Sequence, residues 1–170
     1  MSFPRAMVLT LTIATAVAAI VPTAMAAQSE TAKALAGKPL TGSELTQLYR
    51  NRTWIWDHGG GYFAAKDNTF NAWSGKGSSA SYGEGVWFTA SGGRLCFDAE
   101  WHSAQGNAPA LTCFSHREKN GVIYQRREPA GAWYIFKHAR VKHDDAYLKL
   151  QLGDRVAGHI PRIKERLASN

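Results

Sequence analysis

The stretch from residue 82 to residue 114 constrains the fold most, because both cysteines of the chain lie on two of its three aromatic-rich runs. Turn residues separate the runs, and this pattern is typical of antiparallel strands. If Cys96 lies opposite Cys113, Leu95 faces Phe114, and alternate side chains point to opposite faces of the sheet. The stretch therefore predicts a sheet with one buried face and a disulfide on the other. The residues of the middle strand that share the apolar face are Leu95, Phe97, Ala99 and Trp101.

Strand-like runs continue on both sides of this stretch, and eight can be recognised between residues 53 and 138. Short connections separate them, so sequential neighbours should pair antiparallel. Asn120-Gly121 is a strong hairpin signal, because a type I′ turn needs positive φ at both central residues. The sequence predicts a mainly β fold, an antiparallel up-and-down meander closed or nearly closed into a small lipocalin-like barrel; a two-sheet sandwich is the alternative. The runs are Thr53–Asp57, Gly61–Ala65, Thr69–Ser74, Tyr82–Ala90, Arg94–His102, Ala110–Glu118, Val122–Arg127 and Ala132–His138.

A short helix should precede the first strand. Thr41 and Glu44 form a capping box ahead of an apolar stripe, which predicts a helix over residues 41–50 packed on one end of the sheet. The strand that follows is apolar on both faces, with Ile55 opposite two tryptophans. Something must then cover its outer face, and we expect this helix to do so.

The N-terminus has the three parts of a secretory signal peptide: a basic residue, Arg5, an apolar run, and a small-x-small site that ends at Ala26. We therefore expect residues 1–26 to be removed and the protein to be periplasmic or extracellular. A transmembrane anchor is the alternative, but the apolar run is short for a span of about 20 residues. Export favours a disulfide over two free thiols.

The rest of the chain has the length of one domain. Residues 27–40 are polar and alanine-rich without a clear pattern, so we expect a mobile leader there. Residues 41–170 should form a single barrel-like domain with a C-terminal helical extension, in which Pro161 suits the start of a helix over residues 162–168. We expect no transmembrane segment in the mature chain.

The positive charge is concentrated in the last third of the chain. Seven basic and seven acidic residues cancel between residues 27 and 113, whereas twelve basic residues face six acidic ones between residues 114 and 170. An exported protein with such a basic face meets an anionic glycan, an anionic lipid or an acidic protein surface more readily than nucleic acid. A generic solvated surface is the alternative interpretation.

The best candidate binding site lies on the last predicted strands. Arginine forks bind carboxylate or phosphate, and aromatic rings stack on sugars. Across the hairpin that joins the last long strands, Arg117 should share a face with Arg126, and Arg127 should point to the other face. The sequence thus favours a non-enzymatic binding protein for an anionic cell-envelope component. The candidate ligand-binding residues are Arg117, Tyr124, Arg126, Trp133 and Lys137.

An envelope glycan hydrolase is the alternative function. Glu84 lies between two glycines, which would let a ligand approach it, and Glu100 lies one strand away. Glycosidases use two carboxyl groups that face one sugar ring, so these two residues are the candidate catalytic pair. A solvated glutamate at a glycine-induced bend of the barrel is the simpler interpretation of Glu84.

Other kinds of site have less support. Asp98, Glu100 and His102 alternate on one strand face, but the register places His116 on the opposite face, which argues against a zinc site. The serines lack the Gly-x-Ser-x-Gly elbow of a hydrolase. We therefore expect no metal and no cofactor.

Several motifs together resemble a known family. They are Gly85-Val86-Trp87, Gly93-Arg94-Leu95-Cys96-Phe97, Trp101-His102-Ser103, Thr112-Cys113-Phe114-Ser115-His116 and Tyr124-Gln125-Arg126-Arg127. Over about residues 41–160 the sequence is similar to the domain-of-unknown-function family numbered 995, exported proteins of alphaproteobacteria. The resemblance implies a periplasmic or secreted location and transfers no catalytic residue. The strand rhythm also resembles lipocalin-like and avidin-like barrels in architecture only, since the lipocalin entry motif is absent from the first strand.

Overall fold

The computed structural model describes residues 29–169; the predicted signal peptide, residues 1–26, lies outside the described residues. Antiparallel strands dominate it, with two short helices, a helical segment at residues 29–35 and short 3-10 turns. None of the helices in the described part is long and apolar enough to cross a membrane. The elements are β1 (Lys38–Pro39), α1 (Gly42–Tyr49), β2 (Arg52–Trp56), β3 (Gly59–Phe63), β4 (Thr69–Ser74), β5 (Ser81–Ala90), β6 (Arg94–Ser103), β7 (Gly106–Lys119), β8 (Val122–Arg127), β9 (Tyr134–Lys137), β10 (Leu150–Leu152) and α2 (Ile160–Ala168).

The strands form one strongly curled sheet, a half-barrel, which confirms the predicted meander and excludes the sandwich. From β2 to β9 every strand pairs with its neighbour in sequence, and β10 pairs with β2. Within residues 29–169 the backbone ladder ends at β9 on one side and at β10 on the other. Side chains cross this seam: the ring of Phe136 lies 6.3 Å from that of Trp54 and 6.1 Å from that of Tyr147. The two edges of the half-barrel are therefore bridged by side chains and not by a backbone ladder.

The predicted register in the central hairpins is confirmed. Cys96 pairs with Cys113, and their sulfur atoms are joined at 2.09 Å. The turn between β7 and β8 has φ of 52° at Asn120 and 78° at Gly121, as a type I′ turn requires. Because the side chains alternate along β6, Leu95 is buried inside the barrel while the disulfide lies on its outer side.

Helix α1 begins as predicted but covers a different surface. The Glu44 N–H donates to Thr41 Oγ1 (3.2 Å), and the Thr41 N–H donates to Glu44 Oε2 (2.7 Å), which completes the capping box. Leu45 and Tyr49 belong to the core cluster, so α1 plugs one end of the barrel. The prediction that it covers the outer face of β2 is wrong, since Ile55 lies there beside Gly60 and the ring of Trp73.

The segment expected to be a mobile leader is structured from residue 29. It forms a helical turn at residues 29–35 and then β1, which pairs with the end of β7. The cause is a long-range contact: the Arg117 guanidinium donates to the carbonyl oxygens of Ala34 (3.0 Å) and Gly37 (2.7 Å). A single positive side chain thus holds the C-terminal end of this helical turn, where carbonyl groups lack partners of their own.

The C-terminal helix is present, as predicted, and lies against the outer face of β4 and β5. Lys164 Nζ contacts Glu84 Oε1 at 2.8 Å, and Ile163 is buried beneath the helix. The short strand β10 was not predicted, because three residues with two exposed side chains leave no clear periodic pattern.

Candidate functional site

The predicted basic site on β7 and β8 has the expected register but is not an open cationic face. Arg117 lies opposite Tyr124, and Arg126 shares their face. Arg117 is occupied by the carbonyl groups of the segment before β1. Tyr124 and Trp133 are only 5% and 6% exposed, since they pack with Ala34 under that segment.

The two other predicted residues are also engaged within the protein. Arg126 Nη2 lies 3.2 Å from Glu128 Oε1, and its Cζ lies 5.1 Å above the ring of Trp133. Lys137 Nζ lies 5.8 Å from the ring of Tyr147. The covering segment, which sequence reasoning took for a leader, therefore occupies much of the surface that was expected to bind a ligand.

The candidate catalytic carboxylates face outward. Glu84 and Glu100 are direct cross-strand partners on the convex side of β5 and β6. Both oxygens of Glu84 accept hydrogen bonds from Lys164 Nζ, at 2.8 and 3.0 Å. In a glycosidase a sugar ring would have to fit between these two carboxyl groups. Here the carboxylate of Glu84 is already paired with Lys164.

The remaining candidate residues are separated as the register predicted. Asp98 and His102 are on the convex face, where His102 stacks on Tyr82 with ring centroids 4.5 Å apart. His116 lies inside the barrel and is fully buried. Among residues 29–169 no group of three potential metal-ligating side chains comes together.

A cavity lies in the concave interior. Its volume is about 440 Å³, and we call it the aromatic cleft. Aromatic rings form most of its walls, two hydroxyl groups face it, and Arg127 is the one charged residue in its lining. The lining residues are Trp54, Trp56, Ser74, Phe97, Trp101, Thr112, Phe114 and Arg127.

Two tryptophans of the cleft belong to one row of residues that runs across the sheet. Trp54 on β2 and Trp101 on β6 stand at the two ends of a continuous cross-strand row, and only small residues lie between them. Since strand side chains alternate, the whole row faces the interior. The small residues of the row are Gly61, Ala72 and Gly83. The ring of Phe70 lies over Gly61 and the ring of Trp101 lies over Gly83, so the cleft opens beside this row, against β7 and β8.

Arg127 gives the cleft its polarity. It pairs with Phe114 across the β7–β8 hairpin, so its side chain is on the interior side, opposite to Arg126, as the sequence predicted. It is exposed, and it carries five N–H donors in a planar fork that matches a carboxylate.

A neutral polar network lies deeper in the interior. Tyr49 Oη is 2.8 Å from His116 Nε2, and Gln125 Nε2 donates to Tyr49 Oη at 2.7 Å. Tyr134 donates to Gln125 Oε1. Burial lowers the pKa of His116 to about 4 and raises that of Tyr49 well above its usual value, so both are uncharged at neutral pH. Arg127 therefore meets no opposing charge from this network.

Sequence reasoning missed the aromatic cleft. Most tryptophans were expected to be core, because an eight-stranded barrel is just filled by large side chains. Registers were predicted only for the hairpins from β6 to β8, so the pairing of β2 to β5 that brings Trp54 and Trp56 towards Trp101 could not be derived. The available signal was the pair of tryptophans that share one face of β2.

Comparison with known proteins gives a family and no activity. The family model described as "Protein of unknown function (DUF995)" matches residues 14–156. No curated protein and no solved structure matches the chain.

Proposed function

The chain belongs to the DUF995 family, and because that membership brings no activity with it, we propose a function from geometry: this is a non-enzymatic binding protein for an acidic ring-shaped ligand. The observation that carries the proposal is the aromatic cleft, whose lining brings Trp54, Trp101 and Arg127 together in the concave interior. Mouths of β-barrels are a common place for such sites.

The chemistry of the lining selects the class of ligand. Aromatic faces favour flat or ring-shaped bodies that can stack, and an arginine fork favours a carboxylate. An alkyl chain would gain nothing from ring faces over aliphatic walls. A protein surface is too large for a concave cleft of about 440 Å³.

Acidic sugars fit these requirements. Their rings stack on indoles, their carboxylate pairs with Arg127, and their hydroxyl groups find Ser74 and Thr112 in the lining. The predicted export of the chain would bring it to the cell envelope, where acidic glycans are found. We therefore propose an acidic envelope glycan, or a fragment of one, as the ligand, and the periplasm or cell exterior as the place of binding.

The test is a calorimetric titration of the mature protein with uronic-acid oligosaccharides and, separately, with neutral oligosaccharides of the same length. Trp101→Ala should weaken binding of both kinds by about tenfold or more, equivalent to about 1.4 kcal/mol. Arg127→Ala should weaken only the acidic ligand and so abolish the preference for acid. Arg140→Ala, which removes an exposed arginine outside the cleft, is the matched control and should bind like wild type.

Two outcomes would contradict the proposal. One is binding that Trp101→Ala and Arg127→Ala leave unchanged, or no binding of any saccharide. The other is release of shorter saccharides during the titration; if Glu84→Gln abolished it, the hydrolase alternative with Glu84 and Glu100 would replace the binding function.

A further inference from the structure

A second cavity lies on the opposite side of the sheet, between α2 and the connection from β4 to β5. Its volume is about 310 Å³, and we call it the basic pocket. It contains five basic side chains, with Trp73 among them, and no carboxylate lines it. The basic side chains are His58, Lys76, His159, Arg162 and Arg166.

The fold builds this pocket from distant parts of the chain. Trp73 stands on the convex face of β4, and the ring of His159 stacks on it at 4.0 Å with an interplanar angle of 4°. Arg162 and Arg166 follow on α2 with a spacing of four residues, so both lie on the same side of the helix. Lys76 reaches the pocket from the connection after β4.

One contact fixes a cation of the pocket in place without neutralising it. Arg166 donates to the carbonyl oxygen of Gly77, which fixes its guanidinium beside the connection. The nearby Glu84 is paired with Lys164 outside the pocket lining. Three permanent positive charges thus converge, and like charges four residues apart on a helix repel each other. A bound anion would relieve this repulsion.

We propose that the basic pocket binds a tetrahedral oxyanion, the phosphate or sulfate group of a small molecule or of a lipid headgroup. A tetrahedral oxyanion presents oxygens in more directions than a planar carboxylate does, so it can contact several cations at once, and arginine forks match its oxygens. The cavity is wider than one such group, which leaves room for the body that carries it beside Trp73. The inference is independent of the aromatic cleft, which lies on the other face of β4 and shares no residue with this pocket.

The experiment follows backbone amide shifts of the full mature protein by NMR during titration with inorganic phosphate, sulfate and acetate at constant ionic strength. We expect phosphate and sulfate to shift amides in residues 75–80 and 159–166 at lower concentration than acetate. Arg162→Ala and the double variant Arg162→Ala with Arg166→Ala should each lose affinity for phosphate by at least tenfold. The matched control, Arg140→Ala with Lys142→Ala, removes the same charge from exposed positions outside the pocket and should bind as wild type does.

Glycerol phosphate and vesicles that contain phosphatidylglycerol form the other arms, since they separate a soluble ester from a lipid headgroup. Tighter binding of either one than of inorganic phosphate identifies the carrier. The proposal is overturned if the control variant loses as much affinity as the pocket variants. It is also overturned if the shifts are spread over the surface, or if acetate binds as well as phosphate. Because Arg166 also contacts the connection, Arg162→Ala keeps the test valid even if the double variant loses stability.

Discussion

The interior of the half-barrel has a packed part and an open part, and both are lined by aromatic rings. In the packed part Phe63 and Phe70 are direct cross-strand partners, and the ring of Phe70 lies 4.4 Å from that of Phe97. In the next interior row on the same strands the partners are Gly61 and Ala72, and the tryptophans at its ends remain half-buried. An interior position therefore does not by itself make an aromatic residue part of the core: Phe70 is fully buried, whereas Trp54 and Trp101 stay half-buried.

The largest effect should come from removing a ring of the packed part. Phe70 is fully buried, so Phe70→Ala should lower the free energy of unfolding by about 3–5 kcal/mol. Trp101→Ala removes a larger ring that already borders open space, and should cost only about 1–2 kcal/mol. Urea denaturation of both variants measures the two costs. Equal costs would mean that the cleft is part of the core.

Loss of the disulfide should affect both parts alike, because it joins β6 and β7, which contribute to each of them. The bond closes a loop with a sequence separation of 17 residues. Cys96→Ala with Cys113→Ala should lower the free energy of unfolding by roughly 3 kcal/mol. The bond lies on the outer face, so the folded double variant should keep the ligand affinity of wild type in calorimetry. A lost affinity would show that the bond shapes the cleft.

Acid should weaken the packed part and leave the cleft's charge unchanged. The pKa of His116 is about 4 in the folded protein against 6.5 in the unfolded chain, because burial disfavours the imidazolium. The folded protein keeps its full stability with respect to His116 above pH 6.5, where the imidazole is neutral in both states. As the pH falls from 6.5 towards 4, protonation of the unfolded chain lowers the free energy of unfolding, by roughly 3 kcal/mol at most. Unfolding free energies of wild type and His116→Gln between pH 7 and pH 4 give the difference, in which other titrating groups cancel. If the unfolding free energies of wild type and His116→Gln fell in parallel with pH, His116 would not be the cause of the acid destabilisation.

The smallest effect is spectroscopic and needs no loss of stability. Acrylamide should quench the fluorescence of the half-buried Trp54, Trp56 and Trp101 and leave that of Trp87, which is 2% exposed. Trp101→Phe should therefore reduce the quenched fraction, and Trp87→Phe should increase it. The reverse result would place open space elsewhere in the interior.

Local sequence signals predicted the strands from β2 to β9, the hairpin registers and the cap of α1. They were sufficient because adjacent strands are joined by short turns, and a turn with a defined geometry fixes the pairing next to it. The leader was misjudged because Arg117 holds carbonyl groups about eighty positions earlier in the chain. No local pattern contains such a contact, and the burial of Tyr124 and Trp133 depends on it.

The seam between β9 and β10, where no backbone ladder joins the strands, should allow the half-barrel to widen. Backbone hydrogen bonds hold the other strands together, whereas the packed rings of Phe136, Trp54 and Tyr147 bridge the seam. At the end of the seam the His138 N–H donates to Asp145 Oδ2. Trp54 is also a wall of the cleft, so each widening of the seam would carry that wall away from Trp101 on the far side. We therefore expect the entrance to widen more readily than the hydrogen-bonded ladder from β3 to β8. Amide hydrogen exchange should be fastest in β10 among the strands that border the interior, and a ligand held between the two indoles should slow it.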